Sequence, residues 1–256
     1  MDIQMLLIII FFGFLAAFID AVVGGGGLIS IPALLATGMN PATALGTNKL
    51  ASSFGSLTST VSFIKSGKVD FHIVGKLFPL SFIFSIFGAL TATYLPSALL
   101  KPIVIIMLTL VLIYTLFNKD WGSTTTYKKL SPLKSVVFIC VVGLIGFYDG
   151  FLGGGTGSFL LFSLLIIGFD FLRAAGNAKF LNFASNLGAL LLFMYLGKVD
   201  YTVGLCMGLA MVAGSYAGSQ FALKKGVSYV KLLFIIVTVL LIGKNAWDYI
   251  TTHFFN

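Results

Sequence analysis

Two lysines and two aspartates stand inside stretches that are otherwise almost wholly apolar: Lys49 and Lys179, Asp20 and Asp149. An ionisable side chain within a membrane segment is costly to keep there, so it marks a candidate site by default. The spacing around each lysine is regular. Lys49 is followed by Ser52 and Ser56, and Lys179 by Asn182 and Asn186. Positions i, i+3 and i+7 share one helical face, so each stretch presents one cation and two hydrogen-bonding groups in a stripe. This is chemistry for a small oxyanion. The bland alternative is that each lysine, about two turns from its segment end, snorkels to the membrane interface. Thr47, Asn48 and Asn177 flank the lysines and suit either oxyanion oxygens or ordinary caps and interhelical bonds.

Each aspartate precedes a glycine run. Asp20 leads to Gly24, Gly25, Gly26 and Gly27, and Asp149 to Gly153, Gly154, Gly155 and then Thr156. Glycine permits unwound backbone and close approach of a ligand. A helix starting after such a run aims free N–H groups and a positive dipole end at an anion. The competing use of the glycines is tight packing of helices through small residues. A Walker-type nucleotide loop is excluded, because no Gly-Lys-Ser/Thr follows either run. The aspartates themselves have three readings: helix caps, partners for the lysines, or proton-coupling carboxylates.

These features occur twice because the sequence is written twice. Gly67-Lys68-Val69-Asp70-Phe71 returns as Gly197-Lys198-Val199-Asp200-Tyr201, and the same 130-residue offset lays Lys49 on Lys179 and Gly88 on Gly218. Shortened by one residue, it lays Asp20 on Asp149. Repeated membrane transporters place their sites where the repeats meet, near the bilayer midplane.

Composition fixes the class. Of 256 residues 58% are hydrophobic and 9% charged, and mean hydropathy is +1.05, so the expected fold is an all-α polytopic membrane protein. Apolar segments fall at roughly 4–22, 26–38, 42–64, 71–94 and 98–117, and again at 135–151, 156–168, 171–196, 201–222 and 227–250. Residues 1–117 then form a first membrane repeat, 118–134 a polar linker and 135–256 a second repeat, integrated in one transmembrane domain. The second segment of each copy is short. About 13 residues at 1.5 Å each reach about 20 Å, against about 30 Å of hydrocarbon. It either re-enters or is half of a broken helix, facing protein or a water-filled cavity. The N-terminus lacks a basic n-region and reads as a retained first helix.

The net charge of +8 is read as topology rather than nucleic-acid binding. Lys65, Lys68 and Lys76 crowd one junction of the first copy, whereas Lys224, Lys225 and Lys231 crowd the next junction of the second. With the linker in the cytoplasm and every segment crossing, 12 basic residues lie inside and four outside (Lys49, Lys101, Lys198, Lys244). The positive-inside rule therefore favours two inverted-topology repeats of about five segments each, with both termini outside. Cys140 and Cys206 are expected as small buried hydrophobes, His72 and His253 as interface residues, and Trp121, Trp247 and Tyr127 in the aromatic belt. No metal site or cofactor is expected.

The glycine run followed by Pro32, Gly38, Pro41 and Gly46-Thr47-Asn48-Lys49 resembles the sulfite exporter TauE/SafE family, also called the 4-toluene sulfonate uptake permease family. Gly146-Phe147-Tyr148-Asp149-Gly150-Phe151 and Gly153–Ser158, leading to Asn177-Ala178-Lys179, look like its YfcA-type branch. The likeness covers essentially the whole chain and implies secondary transport of sulfur-containing anions such as sulfite or sulfonates. Two departures make the half-sites unequal: Leu161 stands where the first copy has Pro32, and Asn177 where it has Thr47.

The expectation is thus a carrier of small sulfur oxyanions in the cytoplasmic (inner) membrane, working by alternating access, with Asp20 and Asp149 as candidates should it be proton-coupled. It is not an enzyme. Its partners are a small anionic substrate and the lipid bilayer, with no nucleic acid, and its surface is compatible with a homo-oligomer. An anion channel or a non-transporting scaffold are the alternatives. An intramembrane aspartyl protease is disfavoured, because the Gly-x-Gly-Asp partner is absent.

Overall fold

The computed structural model describes residues 3–94, 122, 124–128, 130–226 and isolated positions between 229 and 243. The expected segment 98–117 and most of 227–250 lie outside the described residues, as do Trp121, Trp247 and His253. The described chain is helical, with α1 (Ile3–Val23), α2 (Gly27–Leu35), α3 (Pro41–Lys65), α4 (Phe71–Val74) and α5 (Phe78–Ala92) in the first copy. The second supplies α6 (Pro132–Phe151), α7 (Thr156–Ile166), α8 (Phe171–Tyr195) and α9 (Tyr201–Lys225). A 3₁₀ turn, Gly75–Leu77, joins α4 to α5.

The repeated Gly-Lys-Val-Asp string is a stop signal followed by a start signal. Gly67 and Gly197 take φ +66° and +64° just beyond α3 and α8, the left-handed conformation that ends helices. Asp70 and Asp200 then cap the next helix, their carboxylates accepting from His72 N and Val203 N at 3.1 and 3.0 Å. The polar helices start the same way. Asn40 caps α3 ahead of Pro41, and Asp170 caps α8 through Leu172 N and Arg173 N.

Among the described residues four spans are long and apolar enough to cross a membrane: Ile3–Val23, Phe71–Ala92, Pro132–Phe151 and Tyr201–Lys225. The more polar α3 and α8 lie between them, packed on each other and flanked by α9 and α5. Close contacts fix the directions. Gly46 meets Phe193, Lys49 meets Asn186 and Phe63 meets Gly176, so α3 and α8 are antiparallel. Gly13, Phe14 and Phe18 meet Met207, Gly214 and Gly218 in turn, so α1 runs parallel to α9. By the same reasoning α3 runs with α9, and α5 runs with both α6 and α8. The ends bearing Lys65, Lys134, Arg173 and Lys224 consequently gather at one end of the bundle.

Many helix contacts are made where glycine lets backbones touch. A Cβ on Gly88 would stand 1.8 Å from Phe147 O, and one on Gly218 would stand 2.4 Å from Phe18 O, the equivalent contact in the other half. The short helices reverse. Gly26 packs on Ala16 and Asp20, while Leu34 near the end of α2 shares a cluster with Ile9 of α1, so α2 turns back along α1. Its nine residues reach about 13 Å, too little to cross. Cys140 is exposed on α6 and Cys206 half-buried, against the expectation that both are buried. Helices whose outer faces meet lipid need not turn a small apolar side chain inward. Tyr127 stacks on Phe169 at 4.9 Å.

Gly24 and Gly38 share positive φ, +83° and +82°, but a Cβ on Gly24 would be 2.2 Å from the Gly157–Ser158 backbone whereas Gly38 faces nothing within 4 Å. Gly38→Ala should cost about 1 kcal/mol of backbone strain. Gly24→Ala should cost at least ~2 kcal/mol more from overpacking. Thermal unfolding of the two variants in detergent checks this, and equal melting shifts would contradict the crossing of the glycine runs.

Candidate functional site

The glycine runs break their helices and cross backbone to backbone. Gly24, Gly25, Gly153 and Gly155 all have positive φ. Gly24 lies against Gly157 and Ser158, Gly27 against Gly153 O, and Gly154 against Leu28. Ser158 Oγ donates across the crossing to Val23 O at 3.1 Å, while Thr156 Oγ1 donates to Gly153 O (3.2 Å) and the Tyr148 hydroxyl to Gly154 O within the second run. Gly155 is the N-cap of α7. Both α2 and α7 therefore start at this crossing, where Leu28 N and Ile29 N of α2 donate to Gly25 O and Gly26 O.

Both lysines reach this crossing and both are 1% exposed. Each pairs with the aspartate of the other copy. Lys49 Nζ lies 2.9 Å from Asp149 Oδ1, and Lys179 Nζ lies 2.7 Å from Asp20 Oδ2. The carboxylates are held from behind as well: Gly26 N donates to Asp20 Oδ1 at 3.2 Å, and Asn182 Nδ2 to Asp149 Oδ2 at 3.4 Å. Lys49 also donates to Asn186 Oδ1 at 3.2 Å. Of the readings open for the aspartates, the pairing with lysine is present in both copies, and Asp20 additionally accepts from Gly26 N just ahead of α2. Neither lysine snorkels. The pairs differ in surroundings, because the Asp149 side chain is 2% exposed and that of Asp20 22%.

A cavity of about 20 Å³, room for about one water, lies among these groups. It is lined by Asp20, Gly26 and Gly27 from the first run, Asn48, Lys49, Ser52 and Ser56 from α3, and Asp149, Gly153, Asn182 and Asn186 from the second copy. Gly24, Gly25, Gly154, Gly155 and Thr156 belong to the crossing beside it rather than to its wall. Thr47 and Asn177 are drawn elsewhere. Their side-chain oxygens accept from Asp200 N (2.9 Å) and Asp70 N (2.7 Å), tying each lysine helix to the Gly-Lys-Val-Asp turn of the other copy. Four further residues escaped the sequence reading. Ser30 donates to Asn48 Oδ1 at 2.6 Å, Met211 and Ser215 of α9 line the cavity, and Tyr148 braces the second glycine run. Only Ser30 and Tyr148 carried a signal, by standing four residues from Gly26 and next to Asp149.

Lys49→Met leaves Asp149 charged, buried and unpaired, a change expected to cost roughly 3–5 kcal/mol. Adding Asp149→Asn removes the stranded charge and should restore most of that stability. Unfolding of the single and double variants in detergent measures the difference, and a double variant no more stable than Lys49→Met would show that the two are not partners.

Comparison with known proteins gives a family and relatives named as membrane transporters. Residues 9–245 match the family model described as sulfite exporter TauE/SafE. The chain is 40% identical over 229 residues to a probable membrane transporter protein, ORF9, of a Sinorhizobium species, covering 89% of this chain and 87% of that one. It is 36% identical to a probable membrane transporter protein of Haemophilus influenzae, over 99% of this chain and all of the relative. To YfcA of Escherichia coli K12, another probable membrane transporter protein, it is 35% identical over 94% of this chain and 89% of that one. No solved structure matches it significantly. With this match over nearly its whole length and four apolar spans among its described residues, the chain belongs to the sulfite exporter TauE/SafE family of membrane transporter proteins.

Proposed function

We propose that this protein is a proton-coupled carrier of small sulfur-containing oxyanions, such as sulfite and sulfonates, across the cytoplasmic membrane. The observation that carries the reading is the pair of fully buried lysines, each neutralised by a carboxylate from the other copy, beside a cavity walled by amides and hydroxyls. Two ammonium and two carboxylate groups sum to zero. An anion entering alone would leave a net buried negative charge, which is costly in a low-dielectric site. An anion entering with a proton that neutralises Asp149 or Asp20 takes the carboxylate's place on the lysine, and the balance holds. Proton and anion then move together.

The proposed carrier is built of inverted halves. The antiparallel run of α3 and α8, and the gathering of the Lys-rich ends at one end of the bundle, support this. That end would face the cytoplasm together with linker 118–134, and both termini the outside. Alternating access would rock the halves about the glycine crossing. A cavity holding about one water favours a carrier in a closed state over an open channel.

The test is flux into liposomes of sulfite, sulfate, thiosulfate and sulfonates, with and without a pH gradient. Wild-type protein should concentrate a sulfur oxyanion when the gradient is imposed. The charge-balanced variant Lys49→Met with Asp149→Asn should insert normally and carry nothing. Asp149→Asn alone should keep counterflow while losing its response to the gradient. Unchanged gradient-driven flux in both variants would remove this pair from the transport cycle.

A further inference from the structure

The cavity is lopsided although the contacts around it come in matched pairs. Ser52 and Ser56 of α3 look across at Asn182 and Asn186 of α8, but the cavity continues towards α9, where Met211 and Ser215 line it. The 130-residue offset makes Ser81 and Ser85 of α5 their counterparts. Those two hydroxyls are used: Ser81 Oγ donates to Leu181 O at 3.1 Å and Ser85 Oγ to Phe82 O at 2.7 Å. Ser215 is 1% exposed, and its hydroxyl has no hydrogen-bond partner among the described residues.

The cause is a difference between the copies on the lysine helices. Gly55 of α3 faces α9, where a Cβ would stand 3.1 Å from Ser215 Oγ and 3.3 Å from Met211 Cβ. Its counterpart on α8 is Ser185, whose hydroxyl is spent on Asn182 O at 3.1 Å. On that side Gly188 closes against α5, with a Cβ site 2.3 Å from Phe82 O. One flank is therefore packed and satisfied, and the other keeps a buried hydroxyl in contact with the cavity. Two more donors share this position. The amide oxygens of Asn48 and Asn186 are taken by Ser30 and Lys49, while their Nδ2 groups have no partner among the described residues. Three donors that face the cavity instead of a protein partner are free to bond an occupant, so the site suits one rich in acceptor oxygens.

Resting on the transport reading, we propose that Ser215 is a further substrate-binding and selectivity-determining residue, donating with Asn48 and Asn186 to the oxygens of the oxyanion. The anion is thereby held against α9 and not against α5, so the two halves of a repeated protein do unequal work. Asp149 and Asp20 set the charge, and Ser215 counts the oxygens.

The experiment uses the full chain in liposomes and two readouts. In wild-type background, Ser215→Ala should raise the KM for the transported sulfur oxyanion roughly tenfold or more, the size expected for one hydrogen bond to a charged oxygen, with little change in kcat. Ser85→Ala should leave both unchanged. In a Cys140→Ala, Cys206→Ala background, Ser215→Cys should react with a small anionic methanethiosulfonate and be protected by methanesulfonate, whereas Ser85→Cys should resist the reagent. Methanesulfonate is the protectant because sulfite itself cleaves mixed disulfides. Intact wild-type flux with indistinguishable Ser215→Ala and Ser85→Ala kinetics, or equal labelling of the two cysteines, overturns the inference and leaves the transport reading standing. Labelling at 215 with neither protection nor wild-type flux of any sulfur oxyanion overturns the transport reading, and the inference with it.

Discussion

An ammonium group in the middle of a lipid-embedded bundle needs a counter-charge within reach, and much of this structure follows from where Lys49 and Lys179 find theirs. Each takes the aspartate of the other copy. Neither half can satisfy its own charges in this arrangement, so the halves are obligate partners. The reciprocal pairs also require both helices to break at the centre of the bundle, because Asp20 and Asp149 lie within one turn of the glycine runs. Those breaks leave backbone that must be buried in protein, and the crossing of Gly24 with Gly157 and of Gly27 with Gly153 buries it.

The same arrangement limits how the site can work. Breaking one ion pair strands a buried charge at a cost of several kcal/mol, which on the proposed reading keeps the unliganded site closed. A ligand that opens it must bring charge compensation, and on the proposed reading a proton does so. The unequal exposure of Asp20 and Asp149 makes the two pairs inequivalent, as do Gly55 and Ser185 at matched places on the lysine helices. A sequence written twice supplies one lysine and one aspartate from each copy, and small differences between the copies make the two pairs unequal.

Much of this was legible in the sequence because lipid imposes strong patterns. Helix boundaries came close, with 171–196 expected and Phe171–Tyr195 found, and 156–168 expected and Thr156–Ile166 found. Caps and glycine stops punctuate an apolar chain clearly. The stripe of Lys49, Ser52 and Ser56 and that of Lys179, Asn182 and Asn186 were visible as helical spacing, and all but Lys179 line one cavity. What spacing cannot reveal is which lysine meets which aspartate, since that depends on packing between segments a hundred residues or more apart. Met211 and Ser215 were passed over because α9 has no charged residue in its interior to mark a site, although Ser215 and Ser219 stand four apart on one face. Thr47 and Asn177 looked like ligands because they adjoin the lysines, but they face outward from the site and hold the neighbouring turn.

The central claim is that an anion displaces a carboxylate from a buried lysine and that the carboxylate then takes a proton. Proton uptake on binding tests it directly, with purified protein in weakly buffered detergent solution titrated with a sulfur oxyanion while the pH is followed. The account predicts that binding consumes protons, close to one for each negative charge bound, and that Asp149→Asn lowers the number. Saturable binding with no proton uptake would contradict it.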